Sequence, residues 1–308
     1  MVACETVADL DFQGCAPYKP AMEQSSIPFR KMHGLGNDFV VVDLRTESFR
    51  PEAAWVRAVA ARRTGVGCDQ FITIESPPDT DQNGAVAAMG IMNADGSTVE
   101  ACGNAARCVG ALLLSETGQD SVLVDTPAGP ISMRRAEDGD QVSVDMGPAI
   151  LGWEQIPLAE DLDSLHLPIS SGPLSDPVGV SMGNPHMIFF VPDAEAIDLE
   201  DLGPGLEHHP LFPNRTNVEV VSLRPDGSLR MRVWERGVGI TRACGTGACA
   251  VLVAAARRGL TGPSALVHLD GGPLHILWRQ EDDGHVIMTG PASESYVGSI
   301  SRTFGATA

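Results

Sequence analysis

Short windows that alternate apolar and polar residues, or are apolar throughout, recur along the whole chain and read as strands. In the first half they are FVVVD (39–43), QFITIE (70–75), AVAAMGIMN (85–93), SVLVDT (121–126) and QVSVDMG (141–147), with an earlier strand opening near Lys31. The second half offers VGVSMG (178–183), HMIFFV (186–191), NVEVVSL (217–223), LRMRVWERG (229–237), LVHLDG (266–271), LHILWRQ (274–280) and HVIMTG (285–290). Pro225-Asp226-Gly227 and Asp282-Asp283-Gly284 supply turn chemistry for hairpins. Helical patterns are fewer. One helix is expected near 51–62, with Pro51 in its first turn. Residues 151–177, rich in Pro, Ser and Asp, predict an irregular connection holding a short helix, and residues 1–26 an aperiodic leader.

Two further helical runs are nearly the same sentence written twice. ACGNAARCVGALLLSETG (101–118) and ACGTGACAVLVAAARRG (243–259) share Ala-Cys-Gly, a polar residue, an apolar run and a closing glycine. GNDFVVVD (36–43) and GNPHMIFFVPD (183–193) repeat at nearly the same offset. Both helices are apolar almost all round, so strands must wrap them rather than pack along one side. The expected fold is α+β: two pseudo-symmetric duplicated domains, each with β-strands wrapped around a central apolar helix.

Composition narrows the functions available. With 308 residues, 43% of them hydrophobic, the chain has material for two packed domains. It carries 21 basic against 40 acidic residues, a net charge of −19, which repels phosphate backbones and anionic lipid. A nucleic-acid or membrane partner is therefore not expected, and no run reaches the ~20 apolar residues of a membrane span. Only Lys19 and Lys31 are lysines, neither set in an apolar helix or strand interior, which argues against a pyridoxal-phosphate Schiff base. Seven cysteines, an odd number, with no signal-peptide pattern, fit a reducing cytoplasm. No Cys-x-x-Cys pair exists, so no metal is expected.

Cys102 and Cys244 each stand where a helix begins, followed by glycine and a polar residue. The first N–H groups of a helix lack internal partners and carry its positive end, a setting expected to lower a thiol's pKa and to hold a carboxylate. Gly103 and Gly245 leave room for backbone to approach a ligand. Cys108 and Cys249 fall inside the apolar runs and read as core. Two activated thiols from duplicated halves suit inversion of a stereocentre: one removes a proton, the other delivers one from the opposite side. The amides Asn37, Gln70, Asn93, Asn104, Asn184 and Asn217 gather around these segments. In WERG, Arg236 offers a fork for a carboxylate and Glu235 an acceptor for an ammonium. His186 and Glu235 are placed to tune the thiols.

Taken together, HGLGNDF (33–39), RRTGVGCDQ (62–70), NADGSTVEACGNAARC (93–108), GNPH (183–186), RTNVE (215–219), WERGVGITRACGTGACA (234–250) and GPASESYVG (290–298) resemble the diaminopimelate epimerase family. Ala105 stands where that family usually has glycine. The resemblance implies cofactor-free interconversion of LL- and meso-2,6-diaminopimelate, in lysine and peptidoglycan precursor synthesis. It implies Cys102 and Cys244 as acid and base. Asn37, Gln70, Asn93, Asn184, Asn217, Glu235 and Arg236 then bind substrate, with the helix-start pairs Gly103-Asn104 and Gly245-Thr246. It further implies a homodimer with Tyr296 at the contact. The implied halves are 27–148, completed by 290–308, and 149–289. Proline and hydroxyproline racemases share the CGTG segment and are the rival within isomerases; a one-cysteine hydrolase and an amino-acid binding module are the rivals outside it.

Overall fold

The computed structural model describes residues 26–78, 83–100, 102–137 and 139–306; the expected leader lies almost wholly outside them. The first half runs β1 (Ser26–Gly34), β2 (Asn37–Asp43), α1 (Ala53–Ala60), β3 (Gln70–Glu75), β4 (Ala87–Asn93), α2 (Gly103–Thr117), β5 (Ser121–Asp125), β6 (Ile131–Arg135) and β7 (Gln141–Pro148). A short ladder, β8 (Ser170–Ser171) with β9 (Leu174–Ser175), interrupts the connection. The second half runs β10 (Val178–Ser181), β11 (Pro185–Phe190), α3 (Leu199–Glu207), β12 (Asn217–Leu223), β13 (Leu229–Glu235), β14 (Gly239–Ile240), α4 (Gly245–Arg257), β15 (Ser264–Leu269), β16 (Gly272–Trp278) and β17 (His285–Pro291). A last strand, β18 (Ser293–Ser301), closes the chain.

The duplication read from the cysteine motifs reappears in the strand pairing. From β1 to β7, neighbours pair antiparallel, parallel, antiparallel, parallel, antiparallel, antiparallel. The series β10, β11, β12, β13, β15, β16, β17 repeats those senses in the same order. Antiparallel pairing of β17 with β7 makes the two halves one continuous sheet, and β18 lies along β1 at its edge.

Each half curls its sheet around one helix. α2 packs against β1, β2, β5, β6, β7 and β17, and α4 against β10, β11, β12, β13, β15, β16 and β17. With no outward face, both helices are buried along most of their length, including Cys108 and Cys249. α2 ends on Gly118 in the left-handed conformation (φ 67°), the glycine stop its sequence predicts. The opposite sheet faces carry smaller cores, with α1 over one and α3 over the other. Among the described residues no helix is long and apolar enough to cross a membrane.

The structure departs from expectation in several places. The connection 151–177 holds turns and the β8–β9 ladder but no helix. Pro157, Pro168, Pro173 and Pro177 come too close together for one, and the segment instead buries Ile156, Leu158, Leu167, Ile169 and Leu174 against α3. Pro51 precedes the Glu52 N-cap of α1 and so lies outside the helix. α3 was not expected, because Gly203, Pro204 and Gly205 break its pattern. Gly203 is needed there: a Cβ would stand 2.5 Å from the Trp234 ring.

The halves also meet at a turn-to-turn contact. Gly271, between β15 and β16, lies so close to the β1–β2 turn that a Cβ would fall 1.9 Å from the Leu35 carbonyl oxygen. Gly271→Ala is expected to cost about 1–3 kcal/mol in urea unfolding. Gly262→Ala, where a Cβ meets nothing within 4 Å, is the control and should stay within about 0.5 kcal/mol. Equal losses in the two variants would contradict close docking of the halves.

Candidate active site

The polar residues singled out from sequence continue the core face of the strands. Along β2, Phe39 and Val41 face the central helix and Asn37 is next in period; on β3, Ile72 and Ile74 lead back to Gln70. On β4, Met89 and Ile91 lead to Asn93, which sits opposite Gln70. The second half repeats the device. Ile188 leads back to His186, Val221 leads back through Glu219 to Asn217, and Met231 and Val233 lead to Glu235. Strand alternation thus holds apolar side chains along each helix and switches to amides, carboxylates and imidazole at the helix start.

Cys102 is the N-cap of α2 and Cys244 that of α4, both in extended backbone. Cys102 is half-buried, with its Sγ 4.0 Å from Asn37 Oδ1. Asn104 Nδ2 donates to that same Oδ1 at 3.2 Å and to the Ala243 carbonyl at 3.5 Å. One amide on the first helix start therefore reaches the residue before Cys244 on the second. Beneath them, a Cβ on Gly103 would meet the Met288 methyl at 2.7 Å, and one on Gly245 would meet Met288 Sδ at 3.0 Å. Both helix starts therefore rest on one methionine, Met288.

Cys244 is 6% exposed; its Sγ accepts from Gly247 N at 3.4 Å and lies 3.6 Å from Thr246 Oγ1. Asn184 Nδ2 donates to Thr246 Oγ1 at 3.3 Å, and Asn184 Oδ1 lies 3.0 Å from His186 Nε2. His186 Nδ1 meets Glu219 Oε1 at 2.6 Å, both side chains fully buried. Nearby, Thr241 donates to the Glu235 carboxylate. Asn217 Oδ1 accepts the Arg236 N–H at 2.9 Å, and Arg236 Nη1 donates to the Asn214 carbonyl at 3.2 Å. Among the described residues the exposed Arg236 guanidinium has no carboxylate partner. Gln70 Nε2 donates to Asn93 Oδ1 at 3.1 Å, while Gln70 Oε1 and Glu219 Oε2 are buried without partners, unfilled acceptors in the protein alone.

Burial reverses one expectation. The thiols at the helix starts are not lowered; both are held above their ordinary pKa. For Cys102, desolvation outweighs the pull of the Ala105 and Asn104 N–H groups, and the Glu235 charge adds to it. For Cys244, desolvation combines with the carboxylates of Glu235 and Glu219 against the Thr246 hydroxyl and Gly247 N–H. Burial also raises Glu235, with the Glu219 charge adding to it. The core thiols are raised by desolvation too, to about 12 for Cys108 and Cys249.

Two contributors were missed in the sequence. Glu219 is one, its signal being the period of two with Asn217 on a strand whose intervening residues are core. Arg107 is the other, a buried charge in an apolar helix. It is 0% exposed, donates to Asn104 Oδ1 at 3.0 Å and to the Pro291 carbonyl at 3.3 Å, and so fixes Asn104 from behind. Tyr296 stands apart on β18, 47% exposed and edge-on to Phe29. Among the described residues no three His, Cys, Asp or Glu side chains are grouped to hold a metal.

A family model described as diaminopimelate epimerase matches residues 29–152 and 178–294. A diaminopimelate epimerase of Rhodospirillum centenum is 54% identical over 277 residues, 89% of this chain and 92% of its own. Another, of Erythrobacter litoralis, is 52% identical over 89% of this chain and 97% of its own. The crystal structure of a hydroxyproline epimerase from Agrobacterium vitis with bound trans-4-hydroxy-L-proline superposes with a TM-score of 0.62. It shares 18% identity and covers 90% of this chain and 91% of that one, a likeness of fold.

Raised thiols make a reactivity prediction with a definite sign. Iodoacetamide should modify Cys102 and Cys244 slowly at neutral pH, with rates still climbing above pH ~9. Glu235→Gln removes a charge that raises both, so both profiles should move to lower pH. Peptide mapping by mass spectrometry checks each site, and an unmoved or upward profile would contradict the electrostatic account.

Proposed function

The chain belongs to the diaminopimelate epimerase family, and on that premise we propose that it interconverts LL- and meso-2,6-diaminopimelate by passing a proton between Cys102 and Cys244. The observation that supports this reading most is the bridge from Asn104 to the Ala243 carbonyl, which ties the first thiol-bearing helix start to the residue preceding the second.

In the working state one sulfur is a thiolate and the other a thiol. The thiolate takes the α-proton: an S–H bond forms, the Cα–H bond breaks, and its electron pair spreads into the α-carboxylate. The second thiol gives its proton to the opposite face of Cα and becomes the thiolate. The thiolate thus changes cysteine with each inversion, and proton exchange with water resets the pair for the next turnover in the same direction. The N–H groups of Gly103-Asn104 and Gly245-Thr246 receive the α-carboxylate where charge accumulates, with both helix dipoles behind them. Glu235 accepts the α-ammonium, and that cation offsets the carboxylate charge that keeps the thiols protonated in the empty site. His186, held by Glu219, sets the field beside Cys244.

At the far end of the substrate, Arg236 binds the distal carboxylate, a role supported by a guanidinium that no carboxylate of the described residues pairs with. Asn37, Gln70, Asn93, Asn184 and Asn217 supply amide partners along the chain between. The reaction needs no pyridoxal phosphate, a reading supported by Lys31, the only lysine among the described residues, whose ammonium is bonded to Asp38 and the Gly67 carbonyl. The reaction belongs to lysine and peptidoglycan precursor synthesis in a reducing cytoplasm. The functional halves are 27–148 with 290–308, and 149–289. The enzyme acts as a homodimer through β18, where Tyr296 and Val297 are exposed at the sheet edge.

Proton NMR of LL-diaminopimelate in D₂O with reduced protein tests the substrate, with L-proline run beside it. Loss of the α-proton signal and appearance of the meso isomer on diaminopimelate alone is the expected result; turnover of proline instead would overturn the substrate assignment. Cys102→Ser and Cys244→Ser should each lower kcat by about 10²–10⁴. Survival of activity in either variant would favour a one-cysteine mechanism.

A further inference from the structure

Glu207, the last residue of α3, is a buried carboxylate at 4% exposure that no proton-transfer step uses. It is surrounded by donors from two segments. Trp234 Nε1 reaches its Oε2 at 2.7 Å; Gly237 N at 2.9 Å and Arg215 Nη1 at 3.3 Å reach its Oε1. The Glu207 carbonyl accepts Thr216 N at 3.2 Å. Trp234 and Gly237 bracket Glu235-Arg236, so one carboxylate fastens the chain on both sides of that pair. Arg215 and Thr216 lead directly into Asn217, which holds the Arg236 N–H.

The local backbone depends on these links. Arg215 sits at φ 61°, an uncommon conformation for a side-chain-bearing residue, and Gly237 at φ 76°. The Trp234 ring packs on α3 at Gly203, bringing the helix end to the loop. Glu207 spends its charge on Trp234, Gly237 and Arg215, while Arg236 points its guanidinium only to a carbonyl. A carboxylate paired directly with Arg236 would compete with an anionic ligand; Glu207 holds the loop without doing so. Against the push of burial, the Trp234 and Gly237 N–H groups keep Glu207 below the usual carboxylate range and hence ionised at neutral pH.

We infer that Glu207 is the positioning residue of the distal-carboxylate subsite, fixing the Arg236 loop so that the substrate's far carboxylate meets an ordered guanidinium. The inference rests on the diaminopimelate reading. Glu207→Gln keeps the volume but turns an acceptor into a donor facing other donors, so one of the three bonds is lost. KM for LL-diaminopimelate should rise about tenfold, with kcat unchanged within about twofold, since the thiols and helix starts are untouched. In an Arg236→Ala background the same change should add less than about twofold to KM, because the two residues act as one unit.

Trp234→Phe keeps a ring on Gly203 and removes only its N–H; it should raise KM in the same direction, and it carries the test if Glu207→Gln does not fold. Thermal melts of every variant identify misfolding. Wild-type protein that fails to turn over LL-diaminopimelate sinks the underlying reading and the inference with it. An active wild type whose Glu207→Gln variant loses kcat at unchanged KM, or multiplies fully with Arg236→Ala, sinks the inference alone.

Discussion

The reach of the Asn104 side chain from the start of α2 to the Ala243 carbonyl is the contact on which the site depends. A helix start is useful only if its unpaired N–H groups face a ligand, and two of them serve one small molecule only if they face each other. Asn104 provides that constraint, Arg107 fixes it from behind, and Met288 floors both glycines. The pairing of β7 with β17 and the tight approach of Gly271 to Leu35 hold the halves in register around it. An interior cation such as Arg107, bonded to an amide, a carbonyl and a methionine sulfur, is costly to bury. Its place at the junction indicates what that cost secures: one orientation of the first helix start against the second.

The second governing effect is desolvation. Burial and neighbouring carboxylates penalise the thiolate and so favour protonated thiols. On the proposed reading, a substrate ammonium beside Glu235 would relieve one of those penalties as it binds, so that the base forms where and when the proton is to be taken. Withdrawing a proton beside a carboxylate asks for more than a positioned base supplies; on the proposed reading the two helix starts would answer that by stabilising the charge that develops there.

Much of this was legible in the amino-acid sequence, for identifiable reasons. The repeated Ala-Cys-Gly motif announced a duplication, and the pairing senses of the sheet reproduce it. Strand patterns placed Gln70, Asn93 and Asn217 at strand ends, and Asn37 and Glu235 within two residues of one. What escaped depended on contacts remote in sequence. α3 looked broken at Gly203 until Trp234 was seen against it. β18 carries a polar, exposed pattern, since it borrows its place from β1 rather than from a buried face. Glu219 read as one charge in an apolar strand, and its partner His186 lies on the neighbouring strand. The thiol shift was misjudged in sign because a helix start is a local feature, whereas burial is a property of the whole fold.

The central claim, that two sulfurs serve opposite faces of one carbon, has a direct isotopic test. LL-diaminopimelate is converted in D₂O to a few per cent, and deuterium at the α-carbons is measured in product and in recovered substrate. If each cysteine serves one face, the meso product carries solvent deuterium at the inverted centre while the recovered substrate stays protiated. Deuterium appearing equally early in recovered substrate would mean that a single exchanging base serves both faces, and would contradict the account.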